Sequence, residues 1–361
     1  MKSVRITLPE FPYIRFLYYA FIKLIDSDKA NIRVINNAVE LEAKGGDIRD
    51  VLSSVIEYVV ELSKESDLSF PLSGNDKKIF KELKKELGLS ENDDVLNTLN
   101  KYSSKIKGIN DIQSAFEDNS NTYSPLQAFL LETYSLTRAP FFNGNYKHDH
   151  LMNLHQMMIC VAGYLASKHS SYKGKDKKRI TILFLPINLK VTRYNFYRII
   201  RDIPNPYGMS PEEALILWIA LHLPKDFYED ILVLGVEEPG QSMQPVSSIT
   251  VSSEFLRRAE RRLEMLREDY KDLVKELLSY ALRKEGEVKP QPGIDDAIEY
   301  VKLLYLAVQE GYEKEILELA LRSSRREALL ASTSSQDNAI RDRLNVARKA
   351  RTISKILLES G

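Results

Sequence analysis

The chain is 361 residues long and carries 51 Lys and Arg against 51 Asp and Glu, so any affinity for a polyanion must come from local segregation of charge. A hydrophobic share of 43% beside 28% charged residues excludes wholesale disorder, and the length allows two domains with a substantial core. The single Cys, Cys160, excludes an intramolecular disulfide; no apolar run nears the ~18–20 residues that span a bilayer, and the opening MKSVRITLPEFPY does not read as a signal peptide, so a cytoplasmic location with no membrane partner is expected.

In chain order, VRITLPEF (Val4–Phe11) reads as a strand and IRFLYYAFIKLI (Ile14–Ile25) as a helix. IRVINNAVELEA (Ile32–Ala43) reads as a hairpin turning at Asn36-Asn37. Ile48, Val51, Leu52, Val55, Val59 and Leu62 fall on one helical face, and a loop from Ser66 to Asn75 follows. DKKIFKELKKELGL is a short helix closed by Gly88. After the polar stretch Glu117–Ser124, Pro125 opens a further helix, PLQAFLLETYSL, and HLMNLHQMMICVAGYLASKH predicts a buried one. RITILFLPINLKV (Arg179–Val191) is the strongest strand, with DILVLGV and PVSSITV as further strands. Between them SPEEALILWIALHLP starts a helix at a Ser210 cap.

From Ser253 the character changes. EFLRRAERRLEMLREDYKDLVKELLSYALRK predicts one amphipathic helix, followed by the linker EGEVKPQPG, a helical stretch from Ile294 to Ser324, and a last helix from about Asp337 to Leu358. The expected fold is therefore a mixed α/β (α+β) domain over residues 1–252 and an all-α helical bundle over 253–361.

The segment RAPFFNGNYKHDH (Arg138–His150) could announce a metal centre or a polyanion-gripping surface. The His148-Asp149 pair resembles the one in metal-dependent phosphohydrolases, which also use a His well upstream; here His148 is the first His of the chain. Downstream, His150, His155, Cys160 and His169 are separated by five, five and nine residues, whereas stacking ligands on one helical face needs three or four. His222 reads as a hydrogen-bonded core histidine and Cys160 as a small buried hydrophobe. No catalytic residue, metal ligand or cofactor is assigned, and the chain is expected not to be an enzyme. The alternatives are a metal-dependent phosphohydrolase or nuclease around His148, Asp149, His150 and His155, and a scaffold that binds only protein.

Charge gives the positive signal. Ser167 to Arg201 holds ten cations against Asp176 alone: Lys168, Lys173, Lys175, Lys177, Lys178, Arg179, Lys190, Arg193, Arg198 and Arg201. Tyr172, Tyr194, Phe196 and Tyr197 are interleaved, and flat rings stack on exposed bases while Lys and Arg attract phosphates. The candidate nucleic-acid surface takes Lys173, Lys175, Lys177, Lys178, Arg179, Lys190, Arg193, Tyr194, Tyr197, Arg198 and Arg201 from this region. Arg138, Asn143, Asn145 and Lys147 join it as groove-contact types, with Gly144 allowing close backbone approach.

A second basic region carries Arg322, Arg325, Arg326, Arg341, Arg343, Arg348, Lys349, Arg351 and Lys355 against Glu327, Asp337 and Asp342. Arg341, Arg348 and Lys355 recur every seven residues, so they share a helix face, while Leu344, Ile353 and Leu357 pack on another. Such cations serve either a polyanion or the helix dipole. Residues 47–94, with twelve acids against seven bases, are not a nucleic-acid face.

On LLETYSLTRAPFFNGNYKHDH and RITILFLPINLKVTRYNFYR, and on overall length and layout, the chain resembles the large subunit of the archaeal type I-A CRISPR interference (Cascade) complex. The resemblance implies a non-catalytic subunit of an RNA-guided antiviral complex that helps engage target DNA beside its flanking motif. It also implies target DNA, guide RNA, the other subunits and a separate helicase-nuclease as partners. It assigns no individual residue a role.

Overall fold

The computed structural model describes residues 2–66, 68–72, 74–131, 151–173, 178–189, 196–224, 227, 229–238, 243–263, 268–286, 291–311, 313–333 and 337–360. The fold is mixed α/β in its N-terminal part and helix-rich in its C-terminal part. Two compact units interleave along the chain. The first takes Met1–Ser170, Thr181–Ile200 and Leu232–Ser248; the second takes Ser171–Ile180, Arg201–Ile231 and Ile249–Gly361. No described helix is long and apolar enough to cross a membrane.

The first unit opens with β1 (Ser3–Thr7), α1 (Pro12–Ile22), β2 (Ala30–Ile35) and β3 (Ala38–Ala43). The strands form an antiparallel sheet in the order β1-β3-β2. The β2–β3 hairpin turns where the sequence predicts: Asn36 adopts φ 54°, a left-handed conformation Asn tolerates better than most residues.

Helix α2 (Ile48–Glu65) starts at Asp47, whose carboxylate accepts from the Arg49 amide at 2.9 Å. The Arg49 guanidinium also donates to it and holds the Asp47 carboxyl well below the usual carboxylate range. After α3 (Gly74–Glu86), Gly88 caps the helix at φ 70°, as its sequence implies. Helices α4 (Val95–Lys107) and α5 (Ile112–Glu117), started by Asp94 and Asp111, lie where the sequence pattern predicts no element. The Gln113 side chain of α5 pairs with both the N–H and the C=O of Arg5, covering the outer edge of β1. Past Pro125, the described residues form a short 3-10 turn at Gln127–Phe129 and Leu131 is helical; the rest of the expected helix lies outside the described residues.

Helix α6 (Leu154–Ser167) is the core of this unit. It begins with a reciprocal capping box: the Gln156 amide donates to Asn153 Oδ1 at 2.9 Å and the Asn153 amide donates to Gln156 Oε1 at 3.1 Å. It packs on α1 so closely that a Cβ on Gly163 would overlap the Leu17 carbonyl. Strands β4 (Lys168–Lys173) and β5 (Arg179–Pro186) follow, then α7 (Phe196–Arg201), α8 (Glu212–His222), β6 (Ile231–Glu237) and β7 (Gln244–Val251). The four strands form a second sheet in the order β4-β5-β6-β7.

The second unit is dominated by α9 (Ser253–Leu263), α10 (Glu268–Gly286), α11 (Ile294–Glu310), α12 (Glu313–Ala331) and α13 (Asn338–Ser360). Helix α8 belongs with them and packs on α10 and α11, its Leu215, Leu217 and Ile219 fully buried. Ser210 does not cap it: Pro211 holds the cap position without a side-chain bond, and Glu212 and Glu213 face the positive end of the helix dipole. The single helix expected after Ser253 is described as α9 and α10, on either side of residues 264–267. The stretch expected from Ile294 to Ser324 is two helices, because Gly311 turns left-handed at φ 75° and ends α11. Arg258 and Arg262 of α9 donate to the carbonyls of Gln309 and Gly311 there, satisfying acceptors that a helix end leaves open.

Candidate nucleic-acid interface

Strands β4 and β5 are neighbours in their sheet and are joined by only five residues, too few for a parallel crossover, so they form a hairpin. At its tip Lys173, Lys178 and Arg179 are exposed. Arg179 Nε donates to Ser171 Oγ at 3.0 Å, which tethers the guanidinium along the strand. Among the described residues neither Lys173 nor Arg179 has a carboxylate partner. Lys175 and Lys177 belong to the connection between the strands and lie outside the described residues. The hairpin thus gathers three of the sequence-predicted cations at one strand end.

The remaining predicted contacts divide differently. Arg138, Asn143, Asn145, Lys147, Lys190, Arg193 and Tyr194 lie outside the described residues, and Arg198 is placed only as part of the α7 backbone. Arg201 is half-buried. Tyr197 corrects the expectation of a base-stacking ring: it is 1% exposed, packs edge-on against Phe196 at 4.8 Å, and has its hydroxyl 3.4 Å from Ser167 Oγ. The reason is the amphipathicity of α7, which turns Phe196, Tyr197 and Ile200 into the core. The signal for it is that Ile200 follows Tyr197 by three residues and Phe196 by four.

The histidines and the cysteine have packing roles where they are described. His155 lies between the rings of Tyr102 and Phe116, each 5.6 Å away, with Nδ1 3.0 Å from the Tyr102 hydroxyl. Burial pushes its pKa down to about 4, so it is neutral near pH 7. Burial likewise raises the Cys160 thiol well above its ordinary range. His222 Nδ1 donates to the Trp218 carbonyl at 2.7 Å, as a core histidine does. No group of three or more His, Cys, Asp or Glu able to hold a metal occurs among the described residues. His148, Asp149 and His150 lie outside them.

One cation of the basic region, Lys168, is internal, and nothing in its sequence neighbourhood signals it. Its ammonium donates to the Ser69 carbonyl at 3.0 Å and to Glu238 Oε1 at 3.1 Å, with the side chain 2% exposed. Thr181 Oγ1 donates to the same carboxylate oxygen at 2.6 Å. The cluster ties the first residue of β4 to β5 and to the residue after β6. In the linear sequence Lys168 is indistinguishable from Lys173; only the sheet separates an anchor from a surface charge.

Comparison with known proteins adds a family to this geometry. No curated protein matches the chain. The family model described as "CRISPR-associated protein, CsaX" matches residues 39–324, which includes strand β3 from Val39, both strands of the basic hairpin and the helices through most of α12. With that match covering well over half of its 361 residues, the chain belongs to the CsaX family of CRISPR-associated proteins.

Proposed function

We propose that this chain is a non-catalytic nucleic-acid-binding subunit of an RNA-guided antiviral complex, in the place of the large subunit of an archaeal type I-A CRISPR interference complex. In that role it engages target DNA beside the guide RNA and contacts the flanking motif, while the other subunits and a separate helicase-nuclease complete the assembly and the cleavage. Guide pairing supplies most of the sequence readout in such systems, so the protein needs cationic surface and a few groove contacts.

The observation that carries the reading is the β4–β5 tip. Exposed Lys173, Lys178 and Arg179 flank a connection bearing Lys175 and Lys177, in a CRISPR-associated chain of zero net charge. Support for a non-catalytic role comes from His155, Cys160 and His222, which are engaged in packing.

The test is salt-dependent binding of DNA and RNA by the full chain. Removing a cation that pairs with a phosphate lowers the log-log salt slope by about 0.9 on duplex or about 0.7 on single strands. Replacing Lys173, Lys175, Lys177, Lys178 and Arg179 with Ala is expected to weaken binding to all sequences alike and to flatten the slope. Replacing Asn143 or Asn145 is expected to change preference among flanking motifs by about 1–3 kcal/mol. Folded hairpin variants with wild-type affinity and slope would refute the assignment.

A further inference from the structure

The second basic region gains a defined geometry in the fold. Helix α13 buries Val346, Ala347, Ala350, Ile353 and Leu357 against its neighbours α12 and α10. Its opposite face exposes Arg341, Arg348, Arg351 and Lys355. Arg341 to Lys355 spans fourteen residues of continuous helix, a strip ~21 Å long.

Carboxylates do not neutralise this strip. Arg348 and Arg351 share one carboxylate, Glu327 of α12, at 3.2 and 3.1 Å. Their side chains are 55% and 53% exposed while Glu327 is 15% exposed, so the anion lies inward and the guanidinium groups outward. Beside them Arg326 and Arg343 share Asp296 in the same two-to-one ratio, at 3.3 and 3.7 Å. Among the described residues Lys355 has only the exposed Glu359, at 3.8 Å. Asp337 caps the start of α13 through the Ala339 amide. Among the described residues, exposed Arg341 has no carboxylate partner. Each shared carboxylate leaves one positive charge uncompensated, and a shared partner also holds two guanidinium groups in fixed positions.

We propose that this face of α13 is a second nucleic-acid contact, one that follows the sugar-phosphate backbone without reading bases. The chemistry favours a polyanion over an acidic protein. A protein interface centres on apolar or aromatic anchors, whereas between these cations the helix presents Asn345 and Thr352, whose side chains are of the kind that contact phosphate and sugar. The proposal rests on the reading that the chain binds nucleic acid, and it adds a surface apart in sequence from the β4–β5 hairpin.

The experiment uses the full chain, random-sequence single-stranded and duplex DNA, and a salt titration. The double variant Arg341→Gln with Lys355→Gln leaves both Glu327 pairs intact, so its fold is not at risk from an unpaired carboxylate. Circular dichroism confirms folding, and the quadruple variant adds Arg348→Gln and Arg351→Gln. If both residues of the double variant contact phosphates, its salt slope falls by about 1.4 on single strands or 1.8 on duplex, and affinity at about 0.15 M salt drops roughly 10–30-fold. Wild-type affinity and slope in both variants, with binding abolished in the hairpin variant, would overturn this proposal and leave the function standing. Unchanged nucleic-acid binding with disappearance of a co-purifying acidic protein would also overturn it, in favour of a protein partner. Absence of salt-dependent binding by the wild-type chain would instead bring down the nucleic-acid reading itself.

Discussion

At the scale of single residues, two buried groups make predictions. Removing one partner of a buried ion pair strands the other, at a cost of about 3–5 kcal/mol. Lys168→Ala is therefore expected to lower unfolding free energy in a urea titration by an amount in that range, because Glu238 loses its cation while remaining mostly buried. Lys173→Ala, a few residues on at the exposed hairpin tip, is expected to leave stability nearly unchanged. His155 provides a pH signature. Its pKa is about 4 in the fold against about 6.5 unfolded, so between those values the unfolded chain binds more protons and stability rises with pH. The penalty is absent above about pH 6.5 and grows to something on the order of 3 kcal/mol as pH falls to about 4. Comparing wild type with His155→Gln isolates it: the variant's unfolding free energy should depend less on pH across that window. An unaltered slope would show that His155 is not held neutral by the Tyr102–Phe116 cage.

At the scale of elements, legibility follows how local the cause is. The β2–β3 hairpin, α2 and the Gly88 cap are readable because a turn residue, a periodic face and a positive φ each leave a local mark. Helix α4 escapes a reading by pattern although Val95, Leu99, Tyr102 and Ile106 repeat at helical spacing, because Asn, Thr and Ser dilute the apolar signal; its burial depends on packing against α2. There Ser53 and Ser103, both fully buried, donate to Glu57, and with Lys107 they keep its carboxyl below the usual range. Tyr197 misleads for the converse reason: an aromatic among cations looks like a stacking platform until its helix is seen to have an inward face. Gly311 marks the end of α11 with a conformation costly to other residues. Gly311→Ala is expected to destabilise the second unit by about 1–2 kcal/mol from backbone strain alone, readable as a lower thermal midpoint. A neutral result would mean that Arg262 and the turn relax together.

At the scale of the whole molecule, the expected boundary near residue 252 meets a more interleaved arrangement. Residues 201–231 group with the C-terminal helices, so cutting before Ser253 removes α8 from α10 and α11 and bares the surface that buried Leu215, Leu217 and Ile219. An isolated fragment of residues 253–361 is therefore expected to bind a hydrophobic dye and to melt without a sharp transition. Cooperative melting without dye binding would show that the helices after Ser253 suffice alone. The change of composition is legible, but the return of an apolar helix to a distant partner leaves no mark in sequence. The interleaving also sets a timetable during synthesis. The first unit takes its last segment, Leu232–Ser248, after segments of the second have already been made. Between β5 and β6 the ribosome must add roughly forty-five residues, several seconds of work at about 5–20 residues per second. For that interval β5 has its neighbour β4 but no β6, so the strand that carries Ile182, Leu183, Phe184 and Leu185 waits with one edge unpaired for a partner still being translated.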